Sequence, residues 1–507
     1  MMRIIEIAEK IIRFVISRQV TFVSFYFFAG LALVFALYYA LPQRRRRFVL
    51  LLASMAFYAT WGARQCAFVL AAALVAFFFA VLIEGARTRR KRLALLYTAV
   101  SLLLAMLLYV KIGRLFFASK NVIVPLGISY YTFSVIGYLA DVYWKKEKAE
   151  RNFLKMALFL LYFPKILEGP IEKYRPLSDD LWRGAAFDYK RFCFGLQLMV
   201  YGAFKKLVVA DRLFVLTGSI FSSQSMDNYG GALVVLGAML RALHMYADFS
   251  GCMDMARGMS GALGINLSRN FERPFFSKSA AEFWRRWHIT LGVWFKDYVY
   301  MPLVVNPRLI KLSGFFRKRF GKRAGRAVMT AVPLYAVWIL TGLWHGTGKG
   351  YVVWGLYYGT IIVLSTVLEP ELKKLTHLLH INTEAVSWNA FRIARTFCIF
   401  SFGRLLTVPH LRAQLGKIMS DFRPWQLFDG TLFAMGLDRA DFAVLVIALC
   451  IVRRISLAQE KGSVRESVAG CNIVLRWILY IGAVFAVMIF GMYGPGFNAA
   501  DFAYMQF

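Results

Sequence analysis

Two histidines, His288 and His345, are the residues of this sequence best suited to moving a proton near neutral pH. His288 stands in the phrase EFWRRWHITL (282–291), and His345 closes an apolar run in Leu343-Trp344-His345-Gly346. A neutral imidazole walled by aromatics can take the proton from an attacking hydroxyl, which is the work of a general base. A packing histidine at a helix end is the competing reading, and the residues alone leave both open. His244 is expected to be a packing residue, and His377, His380 and His410 show no metal-ligand spacing with carboxylates or cysteines. No phosphate loop, nucleotide fingerprint or nucleophile elbow occurs, so no metal and no bound cofactor is expected.

The elements that must hold these residues can be read around them. Ser279 and Glu282 form an S-x-x-E capping box, a helix-start signal. Pro302 disfavours helical backbone at Met301, so one helix of roughly 20 residues is expected. Along it Trp284, Trp287, His288, Leu291, Phe295 and Tyr298 recur on one stripe, with Arg285, Lys296 and Asp297 off it. A loop at 308–326 studded with Arg and Lys follows, then the apolar run 327–345 that delivers His345. Gly346, Gly348 and Gly350 open the next turn.

Composition sets the medium. Of 507 residues 59% are hydrophobic and 18% charged, where a soluble domain carries about a quarter charged. Apolar runs of about 20 residues recur from end to end, the signature of an all-α polytopic membrane protein. The net charge of +34 belongs to basic residues flanking the spans, which argues against nucleic-acid binding. The six cysteines lack paired spacing and read as free thiols.

In chain order, residues 1–19 place Ile4, Ile5, Ala8, Ile11, Ile12 and Val15 on one face, an interfacial amphipathic helix. A membrane domain over 20–492 and a tail over 493–507 follow. Apolar segments lie near 20–41, 48–61, 66–83, 93–110 and 122–144, then near 193–216, 230–249, 327–345, 351–368, 386–405, 441–452 and 472–492. Basic loops at 44–47, 87–92 and 145–151 alternate with poorer ones and are expected to be cytoplasmic, as is 308–326. His345, the segment 406–440 and the tail then approach the outer side. FPKILEGPIEKYRP (163–176), with three prolines, cannot be a regular span and reads as a re-entrant element. Asp254 and Arg257 are spaced to pair within a helix.

The phrases EFWRRWHITL, WFKDYVYMPL (294–303) and TGLWHG (341–346) resemble the membrane-bound O-acyltransferase family, in its bacterial alginate O-acetyltransferase and teichoic acid D-alanyltransferase branch. YADFSGCMDMARG (246–258), FPKILEGPIEKYR (163–175) and IVPLGISYYTF (123–133) agree with it. The resemblance implies a helical bundle around a central catalytic tunnel. It assigns His345 as the catalytic base, and gives His288 a donor-binding, orienting or supporting role. Trp284, Trp287, Trp344 and Asp297 become expected substrate contacts. The family has histidine at position 288 in this branch and asparagine in many relatives. The implied donor is a cytoplasmic thioester, acetyl-CoA or an acyl-carrier protein, and the implied acceptor is a hydroxyl of an extracytoplasmic glycopolymer. Periplasmic or surface partner acyltransferases, and a place in the bacterial cytoplasmic membrane, follow from the same likeness. The ending Phe502-Ala503-Tyr504-Met505-Gln506-Phe507 resembles an F-x-Y-x-x-F motif whose tyrosine is proposed to carry the acyl group, so Tyr504 is an expected acyl relay. Alginate-type members continue the DYxYxPL phrase with Gly-Gly-Asn-Arg, where Val304-Val305-Asn306-Pro307 stands here. The acceptor therefore stays open among alginate, peptidoglycan, cellulose and teichoic acid, with acetyl or D-alanyl as the group moved. A transporter or flippase is the alternative class.

Overall fold

The structure, a computed structural model, describes residues 20–116, 125–222, 228–346 and 348–493. The interfacial helix expected over 1–19, and the tail beyond residue 493 with Tyr504, lie outside the described residues. The described chain is helical, with no β-strand and one isolated bridge, Phe271 to Trp287. Among the described residues seven helices are long and apolar enough to cross a membrane: Arg64–Gly85, Arg89–Lys111, Tyr189–Phe221, Gly231–Ala262, Pro307–His345, Lys349–Val367 and Ile473–Phe490. This is an all-α polytopic membrane protein.

Several expected spans change length. The helices Phe25–Ala40, Arg46–Ala59 and Ile128–Tyr143 have 16, 14 and 16 residues, below the roughly 20 that span hydrocarbon. Pro42 and Gly62, the latter at φ 116°, stop the first two, and left-handed Gly127 starts the third. Ile128–Tyr143 is buried along nearly its whole length, so its apolarity serves protein packing. The segment 441–452 proves to be the middle of Arg439–Lys461, a 23-residue helix capped by Asp438 on Asp441 N.

By contacts the described chain forms two compact units, residues 20–203 with 251–269, and residues 204–250 with 270–493. In the first, the helix Phe153–Leu161 breaks at Tyr162 into the four-residue helix Phe163–Ile166, and residues 156–171 are buried. The Tyr162 hydroxyl meets Ser260 Oγ at 3.0 Å, and Phe163 N donates to Ser54 Oγ at 3.1 Å. Broken backbone is thus buried in protein, as a lipid environment requires. The expected Asp254–Arg257 pair is present at 3.7 Å.

The second unit holds both histidines. Its basic stretch 308–326, expected as a loop, is helical. Asn306 caps it by accepting from Arg308 N, and Pro307 takes the first helical position, where its missing N–H costs nothing. The helix Pro307–His345 breaks at Gly321, whose φ of 88° lies in the left-handed region. The Ser313 hydroxyl donates to Gly325 O at 2.9 Å, so the chain on either side of the break packs together. Beyond it the helix runs to His345 and packs against Lys349–Val367. At this crossing a Cβ on Gly342 or Gly355 would strike Tyr351 O or Trp338 O, so only glycine lets the backbones approach this closely.

Candidate active site

The expected single helix through His288 is two helices. Ala280–Arg286 starts at Ser279, whose hydroxyl accepts from Glu282 N at 3.1 Å, while Glu282 accepts from Lys278 N at 2.9 Å. The chain then turns extended at Trp287 and left-handed at His288, with φ 48° and ψ 51°, before Ile289–Phe295. Asn270 makes the break: its Oδ1 accepts from Thr290 N at 3.0 Å and Thr290 Oγ1 at 2.7 Å. It does the work of an N-cap from twenty residues away in sequence. Main-chain bonds from Glu272 N to Arg286 O and from Ile289 N to Asn270 O complete the clamp. Pro302 does not end the helical run either. A π-turn over Lys296–Tyr300 leads into the short helix Met301–Val304, with Pro302 in its first turn.

This break aims His288 at an aromatic wall. Its ring lies 4.8 Å from Phe249 and 5.8 Å from Trp344, centroid to centroid. His345, the last residue of its helix, lies 4.8 Å from the same Trp344 and 5.1 Å from Trp354. Two imidazoles that stand 57 positions apart in sequence therefore meet the same indole. Both histidines are buried, at 3% and 9% exposure. His288 lies outside the seven long apolar helices, and burial alone holds its imidazole down to about 3. It is neutral across the physiological range.

The remaining expected residues divide. Trp284 packs edge-on to Trp338, Trp354 and Tyr358, with centroids 4.9, 5.6 and 4.8 Å away. Through Trp354 it belongs to the wall around His345. Trp287 stacks on Phe283 at 5.5 Å and meets Phe271 and Phe400. It supports the break at its own position. Asp297 is half-buried on the π-turn beyond the His288 helix. Tyr504 lies outside the described residues.

Sequence reasoning missed two features. Trp354 faces His345, and its buried Nε1–H finds no hydrogen-bond partner among the described residues, leaving a donor close to the imidazole. The spacing of Trp354 and Tyr358, one turn apart in a run following the His345 turn, was the available signal. The second is an ion cluster. Lys206 Nζ lies 2.8 Å from Asp248 and 2.9 Å from Asp211, with Lys206 and Asp248 each 1% exposed. Asp248 precedes Phe249, the ring against His288. Lys206 lies on a π-turn, Phe204–Ala210, which no periodic pattern announces. The same turn receives Met492 N on Leu207 O at 3.0 Å. Next along, Arg212 ties Asp441 at 3.1 Å and Phe490 O at 2.6 Å. The chain leading to the tail is thus rooted one residue from Lys206.

Residues 144–407, which hold all of this except the root of the tail, match the sequence model of the membrane-bound O-acyltransferase (MBOAT) family. The chain belongs to that family. It is an O-acyltransferase, with the two histidines of the geometry both inside the matched region. Among its relatives is the probable alginate O-acetylase AlgI of Pseudomonas fluorescens, 31% identical over 85% of this chain and 80% of the relative. The peptidoglycan O-acetyltransferase of Helicobacter pylori is 26% identical over 68% of this chain and 70% of its own length. The teichoic acid D-alanyltransferase of Bacillus subtilis is 27% identical over 50% of this chain and 62% of its own length.

Proposed function

We propose that this MBOAT protein moves an acetyl group from a cytoplasmic thioester to hydroxyls of an extracytoplasmic polysaccharide of the alginate type. His345 is the general base. The observation that carries the reading is the pair of buried imidazoles that both meet Trp344, a water-poor setting in which a neutral base can act on a hydroxyl. The alginate O-acetylases among the relatives support acetyl as the group and a uronate polymer as the acceptor. D-alanyl transfer is the second reading, favoured by the D-alanyltransferase relative.

Tyr504 is the acyl relay in this scheme. Its phenolate oxygen attacks the thioester carbonyl, the thiol leaves, and the aryl ester then yields its acyl group to the acceptor hydroxyl. A phenol titrates near 10, so it needs a base to take its proton. Support comes from the root of the tail: Met492 is bonded to the turn that holds Lys206, and Lys206 pairs with Asp248 beside the His288 wall. The basic residues at 308–326 and 453–465 face the cytoplasm in this orientation, and the membrane is the bacterial cytoplasmic one.

The test is turnover of a radiolabelled acyl thioester by the purified protein in a bilayer. Consumption of the thioester is expected, and an intact thioester would leave a transporter as the better description. Tyr504→Phe keeps the ring and removes the hydroxyl, and is expected to stop transfer to the acceptor; transfer at the wild-type rate would make the tail structural. A single cysteine at Lys318 is expected to label only from the cytoplasmic side, and labelling from outside would reverse the orientation.

A further inference from the structure

The two packed spans on either side of the His345 turn change character at their far ends. Pro307–His345 has 39 residues, nearly twice what hydrocarbon needs, and its apolar part is 327–345. Before that part lies the break at Gly321. Ser313 and Gly325 are in contact at 2.9 Å, although a straight helix would hold residues twelve apart about 18 Å from one another. A Cβ on Gly325 would stand 2.7 Å from Arg317 Cβ, so the two arms are closely packed. Residues 307–326 therefore form a helical hairpin. They hold eight Arg and Lys and no Asp or Glu, and all eight are exposed. Phe315 and Phe320 stand exposed among them.

The partner span leads to a second element of this kind. Lys349–Val367 is followed, after Leu368, by the helix Glu369–Leu378, which is too short and too polar to cross a membrane. Leu368, Leu372, Leu375 and Leu379 recur on one helical face, and all four are exposed. Lys373, Lys374 and His377 take the opposite side. Within the helix Lys373 pairs with Glu369 at 2.8 Å, and Lys374 lies 3.7 Å from Glu371. Arg323 also pairs with Glu371, at 3.0 Å. That pair ties the root of one span to the element beyond the end of the other. Hairpin and leucine helix therefore reach one level, where the two spans leave the hydrocarbon. A leucine stripe on one side and ammonium groups on the other suit a helix lying in the interface plane.

We propose that the helix Glu369–Leu378 lies on the membrane surface with its leucines in the acyl boundary, and that it and the basic hairpin bind the phosphates of anionic phospholipids. Complementarity selects this occupant: exposed cations stand beside an apolar stripe, at the level where phosphates meet acyl chains. An acidic soluble protein would match the cations and leave the leucines uncovered. The experiment uses the full chain, made cysteine-free and given single cysteines carrying a bimane fluorophore, in phosphatidylcholine vesicles with or without phosphatidylglycerol. A label at Leu375→Cys is expected to be quenched by bromines on the lipid chains and spared by aqueous iodide, and one at Lys373→Cys to show the reverse. A label at Phe320→Cys is expected to be quenched by brominated phosphatidylglycerol at least about fivefold more efficiently than by brominated phosphatidylcholine, the worth of about one basic side chain at a charged surface. Salt at about 1 M, or Arg317→Gln with Lys318→Gln and Arg319→Gln, is expected to reduce that ratio by at least about half. Native mass spectrometry of the unmodified chain reads the same preference without labels, as retained phosphatidylglycerol that the triple variant loses. Iodide reaching Leu375 as readily as Lys373, equal quenching by the two lipids, or a preference unchanged in the triple variant would overturn the proposal. So would an acyl-carrier protein shielding the Leu375 label from iodide while lipid bromines leave it unquenched, since the stripe would then be a protein-docking face. None of these readouts involves acyl transfer, so the lipid site and the acyltransferase mechanism stand or fall separately.

Discussion

The two histidines stand among rings while Lys206 stands between two carboxylates, although one helix, Gly231–Ala262, supplies a wall to each through Phe249 and Asp248. Around His288 and His345 stand the rings of Phe249, Trp344 and Trp354, with their polarisable edges and faces. Around Lys206 the neighbours are ionised, and the ammonium is matched twice over. On the proposed mechanism the first arrangement lets an imidazole change its proton during a reaction. The second arrangement fixes charge, because removing any member strands another without water. On the proposed function the histidine wall serves chemistry and the lysine cluster architecture, and the two meet at Phe249 and Asp248, one residue apart along a helix.

Three substitutions probe that division, beginning with the largest effect. His345→Ala is expected to lower acyl transfer by about 10²–10⁴-fold, the usual worth of a general base, in a protein that still inserts and elutes as a single species. Thioester turnover and size-exclusion chromatography read the two halves of this statement, and wild-type turnover would remove His345 from the mechanism. Lys206→Met should do the reverse, destabilising the fold by about 3–5 kcal/mol through two stranded carboxylates. Thermal melting checks it, and Lys206→Met with Asp211→Asn and Asp248→Asn should recover most of the loss. If the single variant melts like the wild type, the cluster is not structural. The smallest effect is expected at His288, where Val should cost about 1–3 kcal/mol more in stability than Asn because a β-branched residue resists a left-handed backbone. Equal melting temperatures of His288→Val and His288→Asn would show that the break is held without regard to its central residue.

Much of this was legible beforehand because membrane helices and capping chemistry are local. The runs ending in Gly85, His345 and Phe490 announce themselves by composition, and Ser279 with Glu282 marks a true helix start. The failures were non-local. The stripe Trp284, Trp287, Leu291, Phe295 continues across a broken backbone, because both pieces pack on aromatic walls and keep apolar residues at similar spacing. What breaks the helix is the carboxamide of Asn270, and no pattern within 280–301 encodes it. The basic stretch was misread as a loop because Arg and Lys, which favour helix, were weighed by charge alone, and Gly321 was not seen as a turn. Lys206 was hidden for another reason. Asp211 stands five positions on, reached through a π-turn, and Asp248 comes from another helix that only the fold brings within 3 Å.

The left-handed backbone at His288 also acts as a filter on what can ever stand there. Among side chains other than glycine, asparagine, aspartate and histidine adopt that conformation most readily. Asparagine is neutral and polar like the imidazole, while aspartate would bring a charge into a wall of rings. The clamp from Asn270 would persist whichever of them occupied the position, since it is made by Thr290 and the main chain. A lineage altering this site, or an engineer retuning it, therefore has a short alphabet, and the choice within it sets which atom faces the rings of Phe249 and Trp344 while leaving the surrounding helices where they are.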